Sequence, residues 1–204
     1  MLACGRWLRG QCIQAPSWFI TRREMFEYVA REVIAAGTPI DYLEFGVFEG
    51  YSVREWLQLN SHADSRFYGF DLFTGLPEEW HTLTGYRPSG TFDTGGVVPQ
   101  IDDARVQFIK GKFQDTLRQF LTSYTPQNRL VIHMDADLYA STLYALATLD
   151  PYLTPGTIVM FHDFYHESIF RAFQDYHAAF VRQSRVLALN DFTRESGLCI
   201  EMTN

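Results

Sequence analysis

Apolar residues recur along this chain in two alternating rhythms. Continuous apolar runs of strand length fit buried parallel strands, and between them lie stretches whose apolar positions fall three and four apart, as on one face of a helix. The first helix is expected from Thr21, where Met25, Phe26, Val29, Val33 and Ile34 share a face and Gly37 stands at the stop. Pro39 leads into a strand, Ile40–Phe45, followed by a helix over Tyr51–Leu59 and a second strand over Arg66–Asp71. After an interruption the rhythm resumes: strand Val106–Lys110, helix 113–123, strand 130–134, helix 141–149 ending before Pro151, strand 157–161 and helix 166–182. Two β-runs, 186–189 and 198–202, close the pattern as an antiparallel hairpin. Strands alternating with helices predict an α/β chain with a Rossmann-like, doubly wound sheet of seven strands, the hairpin at its C-terminal end. Residues 1–17 show neither rhythm. We assign 1–20 to an N-terminal arm, suited to a partner subunit in a homo-oligomer, and 21–204 to one domain.

The interruption, residues 72–104, carries Gly75, Pro77, Gly85, Pro88, Gly90, Gly95, Gly96 and Pro99 among Phe73, Trp80, Tyr86 and Phe92. A long loop inside a compact domain is functional or disordered, and the aromatic content speaks against disorder. We read it as a lid, or an acceptor-binding insertion.

The first strand ends in Glu44-Phe45-Gly46-Val47-Phe48-Glu49-Gly50-Tyr51-Ser52. Two glycines frame a tight turn where a ligand can approach the backbone, and Ser52 can cap the following helix or bond that ligand. The spacing E-x-G-x-x-x-G-x-S is neither the dinucleotide fingerprint nor a phosphate-binding loop, since no lysine follows. A nucleoside with an amino-acid tail and no phosphates fits better. Asp71, closing the second strand, stands where such folds bond a ribose. Glu44, a carboxylate in an apolar strand, needs a partner: the ammonium of a methionine tail, directly or through water, or nearby backbone amides. This turn resembles the first motif of class I S-adenosylmethionine-dependent methyltransferases.

Composition narrows the partners. The 204 residues are 47% hydrophobic, and the formal charge is −7 with no basic patch, which argues against nucleic acid. No apolar run is long enough for a bilayer. Cys4, Cys12 and Cys199 are scattered without metal spacing, so free thiols in the cytoplasm are expected.

Three further stretches sharpen the resemblance: Gly69-Phe70-Asp71-Leu72-Phe73-Thr74-Gly75-Leu76-Pro77-Glu78, Lys110-Gly111-Lys112-Phe113-Gln114-Asp115-Thr116-Leu117 and Met134-Asp135-Ala136-Asp137-Leu138-Tyr139-Ala140-Ser141-Thr142. With the first motif they are similar to the macrocin O-methyltransferase family, which methylates sugar hydroxyls on macrolides. The resemblance implies bound S-adenosylmethionine, with Glu44, Gly46, Gly50, Ser52, Asp71 and Asp115 as contacts, and a small-molecule hydroxyl acceptor. It also implies a divalent ion, Mg²⁺ or Mn²⁺, on Asp135, which can double as base. His162-Asp163 falls where the family shows two adjacent acids, and His162 softens the ligand set of Asp135, His162 and Asp163. Without a metal, His162 is the candidate base, because imidazole titrates near neutral pH. For His133 a core histidine is the better reading, and for Asp137 an acid near a helix start. Two other classes stay open. Asp135-Ala136-Asp137 also spells the D-x-D of metal-dependent glycosyltransferases, and a degenerate site would leave a non-catalytic adenosyl-binding module.

Overall fold

The computed structural model describes residues 2–10, 17–82, 85–190 and 196–204. In chain order the elements are α1 (Leu2–Gly10), β1 (Ser17–Phe19), α2 (Arg22–Tyr28) running into a π-helical turn (Val29–Val33), β2 (Ile40–Phe45), α3 (Tyr51–Leu59), β3 (Arg66–Asp71), β4 (Trp80–Thr82), β5 (Gly85–Arg87), β6 (Val106–Lys110), α4 (Phe113–Leu121), β7 (Arg129–Met134), α5 (Tyr139–Leu149), β8 (Ile158–His162), α6 (Glu167–Ala179), β9 (Ser184–Asn190) and β10 (Gly197–Met202). The main sheet runs β1-β9-β10-β8-β7-β2-β3-β6. Its β8-β7-β2-β3-β6 portion is parallel. β10 is antiparallel to both β8 and β9, giving the expected terminal hairpin. No helix among the described residues is long and apolar enough to cross a membrane.

The apolar runs are continuous because both faces of the sheet are covered. Along β2, Leu43 and Phe45 face a cluster that includes Leu117, Leu146, Leu149 and Phe173 of α4, α5 and α6. Ile40 and Tyr42 face the opposite cluster with Phe26 and Trp56 of α2 and α3. Each large side chain removed from water in this way contributes about 1.5–3 kcal/mol, and Phe45 stacks on Phe70 of β3 at 4.9 Å.

Two N-terminal elements depart from the sequence reading. The first residues are not irregular: α1 buries Cys4 and sets Trp7 against Phe173 at 5.0 Å and Phe164 at 5.8 Å. β1 then adds an eighth strand, parallel to β9, outside the seven expected. Cys4 and Cys199 are free and buried, while Cys12 lies outside the described residues.

The insertion has an ordered inner part. Thr74 bridges Asp93, and Leu76 exchanges backbone bonds with Thr91 and Gly90 at 2.9 Å each. Gly75 has φ +82°, and a Cβ there would lie 2.4 Å from the Gly90 backbone. Further out, β4 and β5 pair as a hairpin whose Trp80 meets the His166 ring at 5.0 Å.

Candidate active site

A doubly wound sheet opens a crevice where the chain's path reverses, at the carboxyl ends of the strands. Here that point lies between β2 and β7, the neighbours from which the chain winds first towards β6 and later towards β10. A cavity fills it, lined by the turn after β2, the ends of β3, β7 and β8, the start of α4 and the inner insertion.

Gly46 has φ +92°, and a Cβ on it would stand 1.9 Å from the Asp135 carbonyl oxygen. The neighbouring strand end, rather than the ligand, is therefore what first requires glycine at this position. Gly50, at φ +78°, starts α3 in a left-handed conformation, packs beside Arg54 and Pro99, and does not line the cavity. Ser52, one turn along, does line it.

Asp71 does more than end a strand. Its Oδ2 accepts from the backbone N–H of Val47 at 2.7 Å and of Phe48 at 2.8 Å, and its Oδ1 from Phe73 N–H at 2.7 Å. The carboxylate thus holds the turn after β2 and the start of the insertion in one arrangement. Of its roughly four acceptor positions, three are used, which leaves one for a hydroxyl in the cavity.

Two expected contacts lie elsewhere. Asp115 sits on the exposed side of α4; one residue of helical phase puts Gln114 at the cavity instead, beside Lys112 and Phe113. Glu44 is 1% exposed and lies behind the cavity wall. Tyr42 donates its hydroxyl proton to Glu44, and His133 Nδ1 is 3.4 Å from the same oxygen. Burial drives the Glu44 carboxyl well above the ordinary carboxylate range and lowers His133 to about 3. With the imidazole neutral at pH 7, the contact is a hydrogen bond rather than an ion pair. His133 is the core histidine the sequence indicated.

Asp135, Asp137, His162 and Asp163 all line the cavity. Asp135 faces the guanidinium of Arg22 at 3.6 Å. Asp163, at φ +50°, has Oδ1 3.9 Å from His162 Nε2 and 4.0 Å from His166 Nε2. Asp137, at φ +59°, is 8% exposed, and burial followed by repulsion from Asp135 and Asp163 raises it well above its ordinary value. With Phe48 and Phe73 also at positive φ, strained backbone gathers around the crevice, as it does at functional sites.

This arrangement does not fit the divalent ion. Among the described residues no three His, Cys, Asp or Glu side chains converge to hold a metal. Asp135 lies 3.6 Å from Arg22, Asp163 lies 3.9 and 4.0 Å from two imidazoles, and burial disfavours the charged form of Asp137. Asp135-Ala136-Asp137 likewise offers no pair of carboxylates to a metal, against the glycosyltransferase reading.

A family model described as a methyltransferase domain matches residues 43–164. The chain belongs to that methyltransferase family. Its fold is that of solved O-methyltransferases. The methyltransferase is 31% identical over 179 residues to 8-demethyl-8-(2,3-dimethoxy-alpha-L-rhamnosyl)-tetracenomycin-C 4'-O-methyltransferase of Streptomyces olivaceus, a match covering 77% of this chain and 65% of that protein. It is 28% identical over 163 residues to demethyldecarbamoylnovobiocin O-methyltransferase of Streptomyces niveus, covering 71% and 60%. The chain therefore spans less than two thirds of the curated relatives it matches. Among solved structures, the O-methyltransferase NovP superposes with a TM-score of 0.67 at 24% identity, over 90% of this chain and 80% of that one.

The sequence reading gave no site role to several residues that line the cavity, Arg22, Phe48, Lys112 and Gln114, while Phe92, which also lines it, belongs to the insertion read as a lid. Phe48 and Phe92 meet edge to face at 5.6 Å, and their turn setting hid that pairing. Arg22 gave no signal because its partner, Asp135, is on another element.

Proposed function

We propose that this methyltransferase acts on a hydroxyl oxygen of a small natural product, a sugar hydroxyl of a glycoside being the acceptor class. The observation that carries the reading is the convergence, in one crevice, of the glycine turn and Asp71 on one side with Asp135, His162 and Asp163 on the other. The names of the two curated relatives, both O-methyltransferases and one acting at a rhamnosyl group, support the acceptor class. S-adenosylmethionine, when bound, supplies a methyl group on a sulfonium that leaves as a neutral thioether.

The chain's part is alignment and proton removal. Asp71 and the turn it braces hold the nucleoside end, while Phe48 and Phe92 offer aromatic faces to the apolar side of an acceptor and exclude water. An aliphatic hydroxyl keeps its proton at neutral pH, so a base must take it as the oxygen attacks. His162 is that base: Asp163 lies against its Nε2, leaving Nδ1 to accept the acceptor's proton. Alignment supplies most of the remaining rate enhancement.

The test is S-adenosylhomocysteine release against a panel of glycosides and catechols. His162→Ala is expected to lower kcat roughly 10²–10⁴-fold, and a chelator to leave turnover unchanged. Full activity of His162→Ala would remove the base assignment. Loss of activity to a chelator, restored by Mg²⁺ or Mn²⁺, would return the metal reading. No turnover of any hydroxyl acceptor by protein that binds the cofactor would favour the non-catalytic alternative.

A further inference from the structure

Arg22 is partly buried at the cavity wall, with a side-chain exposure of 19%. The other arginines buried to a similar degree are fully employed. Arg66 bonds Asp41 and the Thr125 carbonyl, and Arg105 bonds Asp103 and the carbonyls of Asn60 and His62. Arg129 and Arg182 likewise bond carboxylates and carbonyls. Arg22 has only its ion pair with Asp135, at 3.6 Å, and the face of Phe26 at 5.8 Å, with no hydrogen bond to any described residue. A half-desolvated guanidinium with five unused donors is costly unless a ligand completes it.

Its position is set by the chain. Thr21 and Glu24 form a reciprocal cap: Thr21 Oγ1 accepts from Glu24 N–H at 3.2 Å, and Glu24 Oε2 from the N–H of Ile20 and of Thr21 at 3.0 Å each. That cap fixes the backbone from which Arg22 springs, while Arg23 turns away to Glu27 at 3.2 Å. A cation in a helix's first turn also opposes the helix dipole, so local stability does not favour it there.

We infer that Arg22 binds the carboxylate of the cofactor's amino-acid tail, with Asp135 beside it receiving the ammonium. The inference rests on S-adenosylmethionine being the cofactor. An α-amino acid carries both charges on one carbon, and the wall at Arg22 and Asp135 presents the opposite charges side by side. The planar guanidinium can meet a carboxylate through two parallel N–H bonds, a geometry lysine cannot reproduce. The pair stands against Gly46, whose missing side chain brings the Asp135 backbone close to the turn, so the zwitterion would lie across the same crevice from the ribose end held near Asp71.

Calorimetry with two ligands tests this. S-adenosylhomocysteine has both charges, whereas S-adenosyl-3-thiopropylamine keeps the ammonium and lacks the carboxylate. In Arg22→Ala the affinity for the first is expected to fall about ten- to a hundredfold, with the second changed less than twofold. Arg22→Lys should recover part of the loss. Arg22→Lys keeps a charge opposite Asp135 and should melt with the wild type, whereas Arg22→Ala gives up the Asp135 ion pair and the Phe26 contact, so its ligand affinities are read at a temperature where it is folded. Equal weakening of both ligands would make Arg22 a mere support for Asp135 and overturn the inference. Unchanged binding of both, with only the acceptor KM raised, would assign Arg22 to the acceptor and also overturn it. Failure of the wild type to bind either ligand would sink the cofactor assignment itself, and the inference with it.

Discussion

Three short bonds to one carboxylate decide how residue-level changes at Asp71 should be read. An asparagine there keeps the shape but has a single acceptor oxygen, so it must release either the Val47 and Phe48 amides or that of Phe73. Leaving such groups unpaired costs about 1–3 kcal/mol. Asp71→Asn is therefore expected to lower the melting temperature and to weaken S-adenosylhomocysteine about tenfold or more in calorimetry. Unchanged values of both would show that the carboxylate braces nothing. Glu44 gives a separate test, by pH. Its folded form holds a proton above the ordinary 4.5, while the unfolded form ionises there, so the folded state binds more protons and stability falls as pH rises. Glu44→Gln cannot ionise. Denaturant titrations from about pH 4.5 upward should show the variant gaining on the wild type by up to about 1.4 kcal/mol per pH unit; parallel curves would mean that Glu44 is ionised inside the fold. Gly46 and Asp71, which line the cavity, could be singled out because a turn and a strand end leave local marks. The partners that explain them, the Asp135 carbonyl and the amides after β2, come from pairings the sequence does not display.

Among the elements, the insertion divides into two mechanical parts. The inner part is clasped by Leu76 to Thr91 and Gly90, by Gly96 to Phe73 at 2.7 Å, and by Lys110 Nζ to the Gly96 carbonyl at 2.6 Å. β5 is exposed along its whole length and, among the described residues, pairs only with β4. Hydrogen exchange of the free protein should accordingly find slow amides at Leu76, Gly90 and Gly96 and fast exchange on the outer side of β5, slowing when S-adenosylhomocysteine and an acceptor are added. Protection of β5 equal to that of β3 in the free protein would mark the whole insertion as fixed wall. The sequence indicated the insertion through its glycines and aromatics but not this division, which depends on contacts between residues far apart in the loop. The parallel strands could be read because burial on both faces writes a continuous apolar run. α1 could not: Arg6 and Arg9 interrupt it, and the aromatic surface that receives Trp7 belongs to α6.

At the scale of the whole molecule, one crevice at the point where the chain reverses direction gathers the turn after β2 with the ends of β3, β7 and β8, and the residues matched by the family model, 43–164, include all of these. The same topology closes the chain on itself. Ser17, Trp18 and Phe19 pair with Ala188, Leu189 and Asn190, and Trp7 rests on Phe170 and Phe173. These N-terminal elements have their partners most of the chain away, so forming the contacts carries the loop-closure entropy of nearly the full length. During synthesis they leave the ribosome long before the residues that cover them exist, and an amphipathic helix and an unpaired edge must wait in solvent. Refolding followed by pulsed hydrogen exchange should find β1 protected after β2, β3 and β7. Simultaneous protection would mean that the ends meet early, while late arrival would make the N-terminal segment the stage at which a nascent chain is most open to capture by a chaperone or to pairing with a neighbour's edge.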